Sequence, residues 1–186
     1  MTTATKPDTD QIIRKNVLWA TAAGAVPIPI LDIAAVATVQ LDMLKELCHA
    51  YEVPYSSVKG KALISSIAGS LMARSWASFL KAAPGFGSLI GTFSMSIMSG
   101  ATTFALGKVF DKYLSEKDSL DDIDAKEARK MFKKEFRKGK RYARILRTEE
   151  HDVYEQLEKL GALKEKGILT EEEFEAKKKS LLERIG

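Results

Sequence analysis

One cysteine and two histidines in 186 residues leave little from which to build a metal centre or a thiol nucleophile. Cys48 cannot form an internal disulfide, and so sparing a use of cysteine fits a reducing compartment. Its neighbour His49 does not complete a dyad with it, because adjacent helical residues point about 100° apart; Cys48 reads as a buried structural thiol. His151 has no ligand-forming residue at metal spacing. Asp42 and Glu46 lie one helical turn apart and offer two carboxylates, a pattern more typical of a solvated face than of a cation site. A phosphate-binding G-x-x-x-x-G-K-[ST] is also missing: Lys59-Gly60-Lys61 lacks both the upstream glycine and the following hydroxyl. Nothing brings together a nucleophile, a base and an orienting group, so the expectation is a non-catalytic protein with no cofactor and no metal.

Charge is absent over one long stretch. Residues 82–107 run for 26 positions without a charge, between Lys81 and Lys108. As a helix this stretch would be about 39 Å long, more than the ~30 Å of a bilayer's hydrocarbon core. Phe86, Ile90, Phe93, Ile97, Ala101 and Phe104 recur at helical spacing as a bulky stripe. Ser88, Thr92, Ser96, Gly100, Thr103 and Gly107 form a small one, and Gly87 with Gly91 adds a G-x-x-x-G that allows close backbone approach. Yet only nine of the 26 residues are large and apolar, against twelve Ser, Thr and Gly. A bilayer hairpin and a helix buried on all sides in a soluble bundle both account for such a pattern.

Proline is scarce and therefore informative. Residues 1–8 read as a disordered tail, after which Thr9 or Asp10 can cap a helix through Ile12, Ile13, Val17 and Ala20 to about Ala23. Pro27 and Pro29, one residue apart, cannot both sit inside a helix, so the chain bends there and restarts with Asp32 in the first turn. Arg14 and Lys15 followed by the charge-free 16–31 faintly resemble a secretory signal, but Asp8, Asp10 and the scarcity of large aliphatics argue against processing. The next helix carries Val36, Gln40, Met43, Leu44 and Leu47 and stops before Pro54. Ser56 or Ser57 caps a third helix, whose small side includes Ser66, Gly69 and Ser70 and which also contains Arg74. Pro84-Gly85 then turns the chain into the charge-free stretch, which predicts a tight antiparallel hairpin of two small-faced helices.

The charges that do occur are unevenly placed. Residues 126–147 hold eleven basic and two acidic side chains, a local +9 in a chain whose net charge is +4. Asp124 with Glu127 resembles a capping box, with Asp in place of the usual hydroxyl, and starts this basic helix. Its cations include Arg129, Lys130, Lys133, Lys134, Arg137, Lys138 and Arg141. Ala128, Met131, Phe132 and Phe136 make an apolar side. Three readings stand: a surface for anionic lipid headgroups with Phe132 and Phe136 as interfacial anchors, a nucleic-acid site lacking any reading motif and so the unfavoured one, and a solvated face.

The C-terminal segment is the most legible. Leu157, Leu160 and Leu163 line a short helix; Gly167 with Ile168 marks a Schellman stop, Thr170 with Glu173 a capping box, and Leu169 with Phe174 a hydrophobic staple. Phe174, Leu181, Leu182 and Ile185 face back. Two helices this short bury too little by themselves, so they are expected to dock on a partner or a second copy. The fold class is all-α: a helical bundle built around a Gly/Ser/Ala-rich hydrophobic hairpin, with a basic helix and a C-terminal helical pair. The expected divisions are a tail at 1–8, a hydrophobic domain at 9–114, a linker at 115–123, the basic helix at 124–150 and the pair at 151–186.

Two resemblances attach to these residues. Pro27-x-Pro29-x-x-Asp32 followed by Gln40, Met43, Leu47 and Tyr51, with the later Gly-rich hairpin, resembles the domain of unknown function 697 family over about 16–113. Members often follow an Era-like GTPase domain or are inner-membrane proteins encoded beside one. The resemblance therefore implies a bacterial inner-membrane location, on the cytoplasmic side, and a GTPase as a separate partner. Gly167-Ile168-Leu169-Thr170-Glu171-Glu172-Glu173-Phe174 within 157–185 is similar to the short C-terminal (SHOCT) domain, which implies oligomerisation or docking. Neither resemblance brings catalytic residues. Together with the charge pattern they favour a membrane-associated helical scaffold that self-associates or recruits a partner, over a soluble protein-binding module.

Overall fold

A computed structural model describes residues 8–23, 29–82, 88–165 and 167–183, with side chains described outside 29–33, 70–94 and 150. Its helices are α1 (Thr9–Ala23), α2 (Pro29–Ala50), α3 (Ser57–Ala82), α4 (Ser88–Leu114), α5 (Ala125–Glu165) and α6 (Glu171–Leu182), with a 3₁₀ turn at Leu120–Asp122. No strand occurs among the described residues, so the fold is all-α as expected. The chain forms two compact units, Met1–Ala143 and Arg144–Gly186, and the division falls inside α5.

Local chemistry explains the helix boundaries. The Asp8 carboxylate accepts the Gln11 amide at 3.4 Å, so the first cap is Asp8 and not Thr9 or Asp10. Pro29 is the first residue of α2, where its missing N–H costs nothing and its fixed φ suits the first turn. At the other end of α2 the Val53 amide reaches back to the Cys48 carbonyl at 2.8 Å, with Glu52 left-handed at φ 57°. Ser56 caps α3 through the Lys59 amide at 3.4 Å. Pro27 and Gly87 lie outside the described residues, and so does the tail at 1–7.

In the first unit α4 is the central element. Between positions 96 and 110 every residue but Met98 and Lys108 is buried, both the bulky stripe of Ile97, Ala101 and Phe104 and the small one of Ser96, Gly100, Thr103 and Gly107. The small stripe had been expected to face α3. In the described part of α4 it faces α1 instead. A Cβ at Gly107 would come within 2.8 Å of Ile13 Cγ1, and one at Gly100 within 3.2 Å of Thr21 Cγ2. The Ser96 hydroxyl donates to the Thr21 carbonyl at 2.6 Å, and Gln40 Nε2 donates to Thr103 Oγ1 at 3.3 Å, both pairs buried. The contacts with α1 make α1 and α4 antiparallel, and the two hydrogen bonds give Ser96 and Thr103 partners within the core. A helix enclosed on all sides need have no polar face. Among the described residues no helix is long and apolar enough to cross a membrane; most of the expected hairpin at 63–107 lies outside the residues whose side chains are described.

The segment expected to be a plain linker is partly structural: Leu120 and Ile123 are buried, and Asp121 forms an ion pair with Lys59 at the start of α3. Beyond it, α5 is one uninterrupted helix where the sequence had suggested a break near 150, because nothing between 126 and 165 is a strong breaker and the fold offers no reason to stop.

Candidate functional site

The basic helix starts at Asp124. Its Oδ1 accepts the Lys126 amide at 2.7 Å and the Glu127 amide at 3.2 Å, and these two backbone bonds hold the carboxyl below its usual range. From there a single stripe turns inward: Ala128, Phe132, Glu135, Phe136, Gly139 and Ala143 are buried. At Gly139 α5 comes close to the backbone of α4. A Cβ there would sit 2.7 Å from the Ala101 carbonyl oxygen. Beside it the rings of Phe104 and Tyr142 are 4.7 Å apart. Phe132 is 0% and Phe136 6% exposed, with stacked rings 5.9 Å apart, so the two residues expected to anchor in a lipid interface belong to the core. Periodicity shows that such a stripe is apolar; it does not show whether protein or lipid covers it.

All seven cations singled out from the sequence are exposed. Three have protein partners. The Arg129 guanidinium donates from Nε at 3.0 Å, and also from Nη2, to the Ser66 carbonyl of α3; Lys130 pairs with Glu127 and Lys138 with Glu135, each at 2.8 Å. Lys140 lies 5.1 Å from the centre of the Phe136 ring. Lys133, Lys134, Arg137 and Arg141 have no ion pair among the described residues. At about 100° per residue these four spread over roughly 100° of arc, centred opposite the buried stripe. A cationic strip of this kind attracts anionic surfaces and polymers through charge alone.

The second unit presents the residues assigned to docking. Gly167 has φ 68°, and the Ile168 amide reaches the Leu163 carbonyl at 3.0 Å while the Gly167 amide reaches Lys164, a complete Schellman stop. Thr170 and Glu173 form the reciprocal capping box: the Glu173 amide donates to Thr170 Oγ1 at 3.2 Å, and the Thr170 amide at 3.0 Å and hydroxyl at 3.2 Å donate to Glu173 Oε2, which holds that carboxyl below its usual range. Lys164 pairs with Glu171 at 2.7 Å and lies 4.4 Å from the Phe174 ring centre. Leu160 is buried, Leu157, Phe174 and Leu181 are half-buried, and Leu182 is exposed. No residue of α6 is fully buried.

The remaining sequence candidates scatter. Gln40 is in the core; the Asp32 and Arg74 side chains are outside the described set. Gly91 falls within α4, in the stretch whose side-chain surroundings are not described. A Cβ at Gly69 would meet no described atom within 4 Å. Cys48 is buried, and burial pushes its thiol up to about 11, unsuited to nucleophilic attack at neutral pH. Glu46 is engaged by Lys15 at 2.9 Å and by Asn16, and no group of three or more His, Cys, Asp or Glu among the described residues is placed to hold a metal ion. Sequence reasoning missed a polar cluster at the end of the bundle where α1 begins. There Asp10 pairs with Lys108, and the Tyr51 hydroxyl donates to Asp111 at 2.7 Å. Burial, with the Asp111 carboxylate second, pushes Tyr51 up to about 12. Those partners are 60 and 98 positions apart, and no local pattern announces them.

Against known proteins, residues 6–141 match the family model described as domain of unknown function (DUF697), and residues 155–182 match that of the short C-terminal domain (SHOCT). The chain is 35% identical over 139 residues to magnetosome membrane protein 22 of Magnetospirillum gryphiswaldense, an alignment covering 72% of this chain and 71% of that protein. No solved structure matches.

Proposed function

This chain belongs to the DUF697 family and carries a SHOCT domain after it; from that premise we propose that it is a non-catalytic helical scaffold that binds the cytoplasmic face of a bacterial membrane peripherally. The cationic face of α5 meets anionic headgroups, and the C-terminal pair holds a second copy or a protein partner. The observation that carries this reading is the set of four exposed cations, Lys133, Lys134, Arg137 and Arg141, opposite the buried stripe and without ion pairs among the described residues. Near an anionic surface each contributes about 1 kcal/mol, enough together for reversible attachment without a spanning helix. The relative's description as a magnetosome membrane protein supports the same reading. Co-sedimentation with vesicles of equimolar phosphatidylcholine and phosphatidylglycerol tests it. Binding should fall steeply with salt and with K133Q/K134Q/R137Q/R141Q together. Equal binding to pure phosphatidylcholine at every salt concentration overturns the electrostatic attachment.

The absence of any buried residue on α6 supports the docking half of the proposal, since a helix that buries so little is poorly held by its own unit. A wholly soluble module that binds a partner such as an Era-like GTPase is the alternative. It predicts no vesicle binding and a complex lost on removing residues 167–186.

A further inference from the structure

The helix α5 changes sign along its length. Residues 126–147 carry the +9 block, whereas residues 149–158 hold five Asp and Glu and no Lys or Arg. Within its own unit, each block leaves charge on the side away from the core. In the first unit that side carries Lys133, Lys134, Arg137 and Arg141. In the second unit Leu146, Val153 and Leu160 form the buried stripe. Asp152, Glu155 and Glu158 are exposed, and at about 100° per residue they centre on the opposite side. Asp152 and Glu158 have no ion pair among the described residues. The Lys159 ammonium donates to Oε1 of Glu155 at 2.7 Å, and the second oxygen of that carboxylate can still accept.

Rows of opposite sign on one helix cannot reach each other: even Arg141 and Asp152 are separated by about 16 Å of helix rise. A second copy supplies what one copy cannot. Two α5 helices laid antiparallel, with a two-fold axis level with Leu146, bring Arg137 of one opposite Glu155 of the other. Lys133 then falls opposite Glu158, and Arg141 opposite Asp152, each within one residue, or about 1.5 Å. The axis is two-fold, so each of these pairings occurs twice, and complementary rows fix both partner and register. Ile145, 50% exposed, lies one residue from the axis, where its own copy would partly cover it.

We propose that two copies of this chain pair antiparallel along α5, the cationic row of each lying on the acidic row of the other. Exposed ion pairs are individually weak and are screened by salt, so the pair forms and parts readily. It occupies the cations that the membrane reading assigns to headgroups. Self-association and attachment to an anionic surface therefore exclude each other, and the pair holds the cationic face in reserve. The pairing itself does not depend on the membrane reading; the exclusion does.

Sedimentation equilibrium of the full chain, without lipid, tests the pairing. In about 50 mM salt the mass should rise from one copy to two with concentration, and about 500 mM salt should weaken the pair about tenfold. K133E/R137E/R141E makes both rows acidic and D152K/E155K/E158K makes both basic. All six positions are exposed, so both variants should keep the wild-type circular dichroism. Each alone should remain a single copy, and an equimolar mixture should form a one-to-one pair. A wild type that stays single at low salt, a pair that survives K133E/R137E/R141E, or variants that ignore each other when mixed overturns the inference and leaves the membrane reading standing. Adding vesicles of equimolar phosphatidylcholine and phosphatidylglycerol to the wild type should part the pairs. Pairs that persist on the vesicles overturn the exclusion, whereas pairing without any vesicle binding removes the membrane reading and keeps the pair.

Discussion

α4 and α5 lie against each other, Gly100, Ala101 and Phe104 of one helix meeting Gly139, Tyr142 and Ala143 of the other, yet their sequences are opposites. α4 has no charge before Lys108; α5 carries a +9 block over its first half. Over its described positions, 96–110, the charge-free helix is hidden in protein, whereas the charged one is half core. Lack of charge measures how completely a helix is surrounded and says nothing of whether lipid or protein surrounds it. The helix with one buried stripe is the one that can present a surface to a partner, because its remaining side chains are free to be charged.

Unfolding by urea, followed as a change in stability, sharpens this contrast. The largest effect is expected from Phe132→Ala. If the inner stripe of α5 is core, as its burial indicates, the loss is about 3–5 kcal/mol, similar to that of Phe110→Ala in α4. A Phe132→Ala protein as stable as wild type would return that stripe to the surface and break the comparison. Next comes Gly139→Ala. Its new Cβ would meet a backbone oxygen that cannot swing aside, so the contact between α4 and α5 must open at a cost of about 1–3 kcal/mol, despite alanine's better helix propensity. Gly69→Ala, with no described atom in reach, should go the other way and stabilise by up to about 1 kcal/mol. Opposite signs for the same substitution would separate packing from propensity; a loss at Gly69 would mean that this part of α3 is packed after all. The smallest change belongs to K133Q/K134Q/R137Q/R141Q, within about 0.5 kcal/mol per site, because exposed cations without ion pairs contribute little to folding. A larger loss would make the cationic face structural and undercut its proposed role in binding.

Legibility followed sequence separation. The Schellman stop at Gly167 and the capping box of Thr170 and Glu173 were readable because all their atoms come from neighbouring residues. The start of α5 at Asp124 was readable for the same reason. The partner of the small stripe was not. A run of Ser96, Gly100, Thr103 and Gly107 says that a backbone comes close, but α1 and α3 satisfy that statement equally, and at Ser96, Gly100 and Gly107 it is α1 that meets it. Gln40 was singled out as part of a family signature. Its hydrogen bond to Thr103, 63 positions away, gives it a place in the core that no local rule supplies.

The sequence by itself determined the all-α class, the family, the caps and stops whose atoms are all local, such as Asp124, Gly167 and Thr170, and the concentration of positive charge in one helix. All of these depend on residue type and spacing within a few turns. Only the tertiary structure decided that α4 is enclosed from Ser96 to Phe110, that Phe132 and Phe136 point into protein, and that Gln40 meets Thr103. Those facts depend on which faces meet, and that choice is made by the sum of many weak contacts between segments far apart in the chain.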